Sequence, residues 1–470
     1  MATSRRIGTG LLLAGSVLLA LLMLYTLGLE LFDSGSRPAA PTRPDDAAEV
    51  AVFYPGRTDW VEFRQGIAAT CARGGRGRIV QDGDAAVVLE TAAHRRTVRF
   101  SWHQARGLSE TRDEVRRLAR GTRPVAVVGS ANTVLTVALA DALRDAFGAD
   151  APGPVLLVPW ATSVRGEGAG PGAPRPNLLD IWSGRTFRFC PNNRYEAELL
   201  VRCLAEHEPE AAPARVDILV DRNDPYSVDL AESFGAVIRS PGVAPDAAIC
   251  PRPADLSAPS PGGLEEVPSL WERQQAKAIW DEATRTSAGR TTWVVLPLQG
   301  RPTWRMLTAL RDLAPYAPDA ADGRLRVLCG DGIGLETLTE LARGGLSFPV
   351  WCVSAASIPG PARPEAPGFA ATTQLQAEIA SALILGLDRP AGSAEDLGAA
   401  LRALRLGAED RAAWGRSLAF TPAGERDGND LGHAFTTGPG RPEILAYARG
   451  GDGRWREPVV VRRVEGPDRR

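Results

Sequence analysis

The sequence predicts an α/β protein made of two lobes, each with a mostly parallel sheet covered by helices. A chain of 470 residues with 44% hydrophobic content exceeds what one core usually organises, which favours two lobes of roughly 150–200 residues. Apolar runs of strand length alternate with segments of helical periodicity, and this alternation is typical of parallel sheets with helices on both faces. Two of these strands, within VVGSANT at 127–133 and VPWATS at 158–163, end in small hydroxyl residues.

The first lobe is predicted from regular strand and helix signals that begin after residue 48. A hairpin is expected within the less regular stretch 76–102, where VVLET and TVRFSW both have strand character. The other predicted elements are strands at 50–54, 125–128 and 155–158 and helices at 60–72, 108–120 and 133–143.

The second lobe is predicted to begin after the strand that contains Phe187 and Arg188. Its expected helices lie at 194–207, 226–238, 304–313 and 335–343, and its strands at 215–220, 293–296 and 325–329. We expect the strand at 348–353 to return to the first lobe, with helices at 373–386 and 394–406 after it and a β-rich tail at 433–470. The predicted division is therefore 49–189 with 350–420 for the first lobe, and 190–349 with 421–470 for the second.

Residues 1–30 have the properties of an N-terminal signal anchor. Residues 7–29 carry no charge, so a helix over them spans the roughly 30 Å apolar core of a bilayer. Arg5 and Arg6 precede this run while Glu30 and Asp33 follow it, which places the rest of the chain outside the cytoplasm. The alternative is a long signal peptide cleaved before Arg37. Residues 31–48 are rich in Pro, Ser and Ala and are predicted to be an extended linker.

Composition and motifs argue against several function classes. The formal net charge is −2, and the 54 basic residues, of which only Lys277 is a lysine, are scattered, so no nucleic-acid partner is expected. Neither the cysteine spacings nor the four dispersed histidines match a metal-site pattern, and no phosphate-binding GxxxxGK or GxSxG nucleophile motif is present. We therefore expect no metal, no cofactor and no enzymatic activity.

The six cysteines leave two alternatives open. In an exported, oxidising environment one or more disulfides are plausible, whereas the other interpretation makes them buried free thiols that behave as small apolar residues. They are Cys71, Cys190, Cys203, Cys250, Cys329 and Cys352.

The polar end of the strand before residue 129 has the chemistry of an anion site. The chain passes from strand to helix through GSAN at 129–132. A helix that begins there presents unpaired backbone N–H groups and the positive end of its dipole to the turn. The group held at such a turn is a carboxylate or a phosphate.

Several motifs in this order resemble those of the type I periplasmic-binding-protein family, and within it the branched-chain amino-acid (Leu/Ile/Val-type) ABC transporter substrate-binding proteins. They are the strand–Gly–polar turn–Thr at 129–133, PWATS at 159–163, FR at 187–188, DRNDPYSVDLAESF at 221–234, CGDGIG at 329–334 and LAFTPAGER at 418–426. The resemblance covers most of residues 48–448. It implies two Rossmann-like lobes joined by a three-strand hinge.

The resemblance also implies a ligand site between the lobes. Thr133 and Thr162, with the N–H groups around Ala161 and Ser163, would donate to the carboxylate of an amino acid. On the second lobe Asp331 would accept from its ammonium group. Tyr226 would contact the body of the ligand, Gln299 would supply a second contact, and Trp160 would narrow the pocket or stack on the ligand.

Each of these residues also has a purely structural interpretation. Thr133 has the chemistry of a helix cap. Asp331 can open a turn or cap the helix that follows it. Tyr226 can belong to the core, and Trp160 can pack between the lobes.

The function that the resemblance implies is that of an extracytoplasmic receptor, located in the periplasm or at the cell surface. It would bind an amino acid or a similar small carboxylate and deliver it to an ABC permease. The alternative is a membrane-tethered sensory or interaction module with the same fold and no role in transport.

Overall fold

The computed structural model describes most of the chain from residue 47 to residue 463. The undescribed residues within that range are 131, 149–151, 165–175, 255–266, 286–289, 317–323, 334, 355–370, 390–392, 406–417, 427–432, 438–442 and 448–457. The predicted anchor at 1–30 and nearly all of the predicted linker lie outside the described residues. Within the described part, no helix is long and apolar enough to cross a bilayer.

The first lobe contains one sheet, with seven strands among the described residues. Its strand order is β2-β3-β4-β1-β5-β6-β7. The strands β4, β1, β5, β6 and β7 run parallel. The predicted hairpin is the antiparallel pair of β3 and β4, and β2, which was not predicted, pairs antiparallel with β3 at the edge of the sheet. The strands are β1 (Ala48–Phe53), β2 (Gly77–Asp82), β3 (Ala86–Thr91), β4 (Thr97–His103), β5 (Ala126–Gly129), β6 (Val155–Val158) and β7 (Thr186–Arg188).

Helices cover both faces of this sheet because its central strands are apolar on both sides, as parallel strands usually are. Alternate residues of β1 belong to opposite cores: Val50 and Val52 to one, Ala51 and Phe53 to the other. The helices are α1 (Arg57–Gly74), α2 (Leu108–Arg120), α3 (Thr133–Phe147) and α4 (Leu178–Ile181), joined later in the chain by α10 (Ala371–Leu387) and α11 (Ala394–Ala403). The α10 helix packs along α1.

The second lobe contains the other sheet, with eight strands among the described residues in the order β15-β14-β13-β12-β11-β10-β8-β9. Strands β8 to β12 pair in parallel, and β13 to β15 continue the sheet in antiparallel fashion. The strands are β8 (Pro213–Val220), β9 (Ala248–Pro253), β10 (Thr291–Leu296), β11 (Leu325–Cys329), β12 (Val350–Ser354), β13 (His433–Thr437), β14 (Glu443–Tyr447) and β15 (Val459–Arg463).

The helices of the second lobe lie against the two faces of this sheet. One core includes Leu200 and Phe234, and the other includes Met306 and Leu338. The helices are α5 (Asn193–His207), α6 (Pro225–Ile238), α7 (Leu270–Arg285), α8 (Arg301–Leu313) and α9 (Leu335–Arg343), with short 3₁₀ turns at Pro209–Ala211 and Ala314–Tyr316.

One sequence-based expectation about the lobes is wrong. The strand predicted at 348–353 does not return to the first lobe: β12 pairs with β11 and β13 in the second sheet. The chain is back in the first lobe only at α10. An apolar strand buried on both faces fits the interior of either sheet, so its composition does not identify its neighbours.

Two segments, residues 189–192 and residues 420–426, lie together where the lobes join. The chain leaves β7 and enters α5 within residues 189–192. Beside it, the Arg188 N–H donates to the Gly424 carbonyl over 2.9 Å, and Phe420 bridges to Arg426 in antiparallel fashion. Gly424 adopts φ +89°, and a Cβ there would lie 2.0 Å from the Thr186 carbonyl oxygen, so only glycine fits this close approach.

Candidate functional site

The first wall of the candidate site lies where β5 ends and α3 begins. Asn132 is the N-cap of α3, because its side chain accepts from the Leu135 N–H over 2.9 Å. Thr133 follows it, is only 1% exposed, and has a hydroxyl with no hydrogen-bond partner among the described residues. A buried hydroxyl without a partner costs about 1–3 kcal/mol. The cap is therefore Asn132 and not Thr133, and the role of Thr133 as a ligand contact stays a prediction.

The second strand end, after β6, is fixed by an arginine. Ala161, Thr162 and Ser163 are buried. The Arg188 guanidinium donates to the Thr162 carbonyl over 3.1 Å and to the Ser163 carbonyl over 2.8 Å. Arg188 is fully buried and lies 3.7 Å from Glu425. It therefore positions this turn instead of presenting its charge to the cleft.

Trp160 is half-buried and packs against the hydrophobic core of the first lobe. Its indole therefore has an apolar surface to rest on without any ligand. This packing is within the first lobe, so both packing between the lobes and contact with a ligand stay predictions.

The candidate residues on the second lobe, which form the second wall of the proposed site, are Tyr226 and Asp331. Asp224 caps α6, accepting from the Tyr226 N–H over 3.1 Å, and so fixes the backbone that carries the buried Tyr226 ring. The Tyr226 hydroxyl donates to the Asp331 Oδ1 over 3.0 Å. Asp331 lies just after β11, and burial raises its pKa to about 6, although the Tyr226 hydroxyl and a backbone N–H act in the opposite direction.

Glu196, which the sequence analysis did not identify, lies directly behind Asp331. This side chain in the first turn of α5 is fully buried, and its Oε2 is 3.3 Å from the Asp331 N–H. Its Oε1 has no partner among the described residues. Burial, and then the charge of Asp331, raise the pKa of Glu196 well above its usual value.

Gln299 lies beside the Asp331 loop, but its side chain makes no hydrogen bond to that loop among the described residues. The residue is exposed, and its backbone packs close to Gly332. The neighbouring Gly300 N–H donates to the Gly332 carbonyl over 2.9 Å. The predicted second ligand contact is thus near the wall, and its role stays a prediction.

The lobes touch each other next to these two walls. The Val164 N–H of the first lobe donates to the Asp229 Oδ2 of α6 over 2.8 Å. Asn193 extends this contact: its N–H donates to the Thr162 carbonyl over 2.7 Å, and its Nδ2 donates to Asp229 over 3.0 Å. Arg188, Asn193 and Asp229 are buried polar residues; the sequence analysis placed Arg188 and Asp229 within motifs but assigned none of the three a contact between the lobes. The sequence signal that could have indicated this contact is the pair Asn192 and Asn193 shortly after the FR strand.

The described residues contain one Ser–His–Glu chain that superficially resembles catalytic machinery. His103 Nε2 lies 2.8 Å from Ser101 Oγ, and His103 Nδ1 lies 2.5 Å from Glu114. The Ser101 hydroxyl donates its hydrogen to Glu49. A serine that already gives its hydrogen to a carboxylate is not activated by this histidine. The chain is a structural ion network that joins β4 to α2.

Neither metal-site chemistry nor a disulfide contributes to the site. Across the described ranges, no group of three His, Cys, Asp or Glu side chains is arranged to hold a metal ion. All six cysteines are free thiols in the structure; four are buried, as in the second alternative, whereas Cys71 and Cys250 are partly exposed.

Comparisons with known proteins find similarity in structure alone. No protein-family model and no curated protein sequence matches the chain. An ABC transporter substrate-binding protein from Desulfitobacterium hafniense in complex with Leu has a TM-score of 0.57 at 16% identity, covering 85% of this chain and all of that one. A leucine-binding protein from Thermotoga maritima has a TM-score of 0.56 at 13% identity, covering 88% of this chain and 99% of that one.

A solved structure with a different ligand is equally similar. It is the solute-binding protein of an ABC transporter from R. palustris in complex with 4-hydroxybenzoate, with a TM-score of 0.58 at 12% identity, covering 90% of this chain and 99% of that one. Identities this low bear on the fold and not on the ligand. The two α/β lobes, the joining segments between them and these structural neighbours together show that the chain has the type I periplasmic-binding-protein fold.

Proposed function

We propose that the chain is an extracytoplasmic receptor that binds an amino acid, or a similar small carboxylate, between its two lobes. The observation that carries this proposal is the pair of polar walls at the carboxyl ends of strands, one on each lobe. Ligands of open α/β sheets bind at that end of the strands. The structural neighbours that hold leucine or 4-hydroxybenzoate support the same class of ligand.

On the first lobe the ligand carboxylate is assigned to the turns after β5 and β6. The Thr133 hydroxyl gains a partner when the ligand binds, which recovers the cost of burying it alone. Thr162, with the N–H groups of Ala161 and Ser163, completes the donor set in this proposal. Trp160 limits the width of the pocket at the same turn.

On the second lobe the cationic end of the ligand is assigned to Asp331. The Tyr226 hydroxyl holds this carboxylate in position, and the ring above it forms an apolar boundary for the ligand body. Gln299 is placed at the open side of the loop as a second polar contact. A ligand that joins Thr133 to Asp331 bridges the lobes, so its binding favours a closed cleft.

The partners follow from this role. The predicted anchor at 1–30 and linker at 31–48 hold the two lobes at the extracytoplasmic face of the membrane, where they present the ligand to an ABC permease. The proposed activity is binding and release of the ligand, and the Ser–His–Glu chain found among the described residues gives no support to a hydrolase, because its serine donates to Glu49. A sensory module with the same fold would bind the ligand equally but would not support uptake.

A thermal-shift screen of the full-length chain tests the proposal. Amino acids, short amides and small carboxylates are added one at a time, and a ligand that binds only the folded state raises Tm by mass action; at a hundred times Kd the free energy of unfolding increases by about 2.7 kcal/mol. A screen in which no compound raises Tm contradicts the proposed function. An uptake assay in cells lacking the gene then separates transport from sensing.

A further inference from the structure

The polar cluster behind the second wall holds more carboxyl groups than cations. Asp331 and Glu196 are joined through the Asp331 N–H, and Tyr226 adds a hydroxyl to Asp331. Gly330 makes this approach possible, because a Cβ there would lie 2.4 Å from the Tyr226 hydroxyl and 3.2 Å from Glu196 Oε2. Any other residue at position 330 would push the Tyr226 hydroxyl and Glu196 away, so the glycine allows Glu196 and Asp331 to lie close together.

The charged groups around Glu196 come from several elements. The strand end before α5 contributes Arg188 and Cys190, and α6 contributes Asp229 together with Tyr226. Strand β12 contributes Trp351 and Val353 to the core that contains α5, and neither titrates. Arg188 is therefore the cation that acts on this cluster.

Arg188 does not neutralise the two carboxyl groups. Its N–H groups donate to the Thr162 and Ser163 carbonyls, and its Nε lies 3.7 Å from Glu425. Asp229 is stabilised separately by N–H groups from Val164 and Asn193. Among the described residues, the two carboxyl groups are paired directly with a hydroxyl and an N–H, and Arg188 acts on them without a direct contact, so both cannot be ionised at low cost.

We propose that Glu196 carries a proton at neutral pH when the cleft is empty, and releases it when a cationic group binds beside Asp331. The incoming cation replaces the proton as the positive charge of the cluster. Glu196 is a positioning residue here, since it lies behind Asp331 and acts on the ligand through it. This inference rests on the proposed function, because it takes the cleft to be the ligand site.

The inference narrows the class of ligand. A compound with an ammonium group supplies the charge that the cluster lacks, whereas an aromatic or aliphatic carboxylate without one adds further negative charge. The preferred ligand is thus a zwitterionic amino acid. Binding releases up to one proton per ligand, so affinity rises with pH by up to about tenfold per pH unit until Glu196 is ionised in the empty protein.

Infrared spectroscopy of the full-length chain tests the proton directly. A protonated carboxyl group has a C=O stretch that an ionised carboxylate lacks. We expect this band in the wild-type chain at neutral pH and its loss in Glu196→Gln. The matched control is Glu198→Gln, a partly exposed position on the same helix paired with Arg194 at 3.3 Å, which should keep the band. If the band of the protonated carboxyl group is the same in the wild-type chain and in Glu196→Gln, the proposal is overturned.

The ligand arm of the experiment uses L-leucine and isocaproate, which has the leucine skeleton without the amino group. Saturation with leucine should remove the band, and calorimetry in buffers of different ionisation enthalpy should show proton release that Glu196→Gln abolishes. Isocaproate should leave the band in place. If leucine binds but leaves the band unchanged, the proposed proton release is wrong and the proposed function stands. If no ammonium-bearing probe binds, the proposed amino-acid ligand is wrong as well.

Discussion

At the scale of single residues, each wall of the proposed site contains a buried polar group that folding leaves without a partner, as it leaves several others elsewhere in the described residues. The Thr133 hydroxyl and the Glu196 Oε1 are buried without partners among the described residues, one on each lobe. Buried polar groups are nearly always hydrogen-bonded, so each exception requires an explanation. For Thr133 the explanation proposed here is a ligand that pairs with its hydroxyl, and for Glu196 it is the proton carried by its carboxyl group.

Thr133→Val should separate ligand binding from stability. Valine has the same shape but lacks the hydroxyl, so the free energy of unfolding of the empty protein should stay equal or rise, while affinity for a carboxylate ligand falls by about 10–100-fold, the value of one charge-assisted hydrogen bond. Chemical denaturation and calorimetric titration measure the two quantities.

The matched control for Thr133→Val is Thr136→Val in the same helix. The Thr136 hydroxyl donates to the Asn132 carbonyl over 2.7 Å and accepts from the Ser130 N–H over 3.3 Å. Its loss should lower stability by about 1–3 kcal/mol. If Thr133→Val instead destabilises the empty protein and leaves affinity unchanged, its hydroxyl is structural.

Asp331→Asn should weaken the binding of any ligand that carries an ammonium group. Removing one partner of a desolvated charge pair costs about 2–5 kcal/mol, which corresponds to a loss of affinity of about 30-fold or more. Calorimetric titration with L-leucine measures the change. Asp113→Asn, an exposed position on α2, is the control and should have no effect. Equal affinities of the two variants would show that the cationic end of the ligand lies elsewhere.

At the scale of the element, glycines decide how closely the joining segments approach β7. Gly424→Ala should lower the free energy of unfolding by at least about 1–3 kcal/mol, because φ +89° is strained for alanine and the new Cβ would overlap the Thr186 carbonyl. Gly398→Ala is the control: it lies inside α11, where an added Cβ meets only ordinary contacts, and should stabilise by about 0.5–1 kcal/mol. Equal effects of the two substitutions, measured by urea denaturation, would contradict the packing described for β7.

The ion network between β4 and α2 predicts how stability changes with pH. Burial alone would raise the pKa of Glu114, but hydrogen bonds from His103 and Arg117 outweigh it and lower the pKa to about 2. This stabilisation is complete above the usual pKa of the carboxyl group and is lost as pH falls toward the folded value.

Glu114→Gln should therefore reduce stability at neutral pH and flatten its loss in acid. Urea denaturation at a series of pH values from neutral to acidic provides the comparison with the wild-type chain. Asp113→Asn, next to it and exposed, should leave the curve unchanged. A variant that loses stability in acid as steeply as the wild type would refute the role of Glu114.

The sequence predicts some of these elements well and others poorly, for physical reasons. Strands β5 and β6 are recognisable because short apolar runs end in polar turns. By contrast, the sequence does not show to which lobe β12 belongs, because its apolar residues fit the interior of either sheet. Glu196 is missed because an acidic residue in the first turn of a helix usually stabilises the helix dipole from an exposed position. Its burial depends on Gly330 and Tyr226, which are distant in sequence.

At the scale of the whole molecule, the lobes contact each other beside the proposed ligand position. The Val164–Asp229 hydrogen bond and the α3–α6 contact join them there. Because these contacts do not involve the ligand itself, they stabilise the arrangement in which both walls can reach it. Affinity then depends on residues that the ligand never touches.

Asp229→Ala tests this dependence. It removes the acceptor of the Val164 N–H and of Asn193, so the affinity for the amino acid should fall by about tenfold or more, the value of a hydrogen bond to a charged group. Glu232→Ala, exposed on the same helix, is the control. Calorimetry that gives the two variants the same affinity would exclude a role for this contact.

Hydrogen–deuterium exchange of the full-length chain, with and without saturating L-leucine, tests the central claim most directly. If the ligand bridges the lobes, amide exchange should slow at two separate segments together, the start of α3 around Thr133 and the loop around Asp331. Protection confined to one of these segments, or absent from both, would contradict a ligand site shared by the two walls.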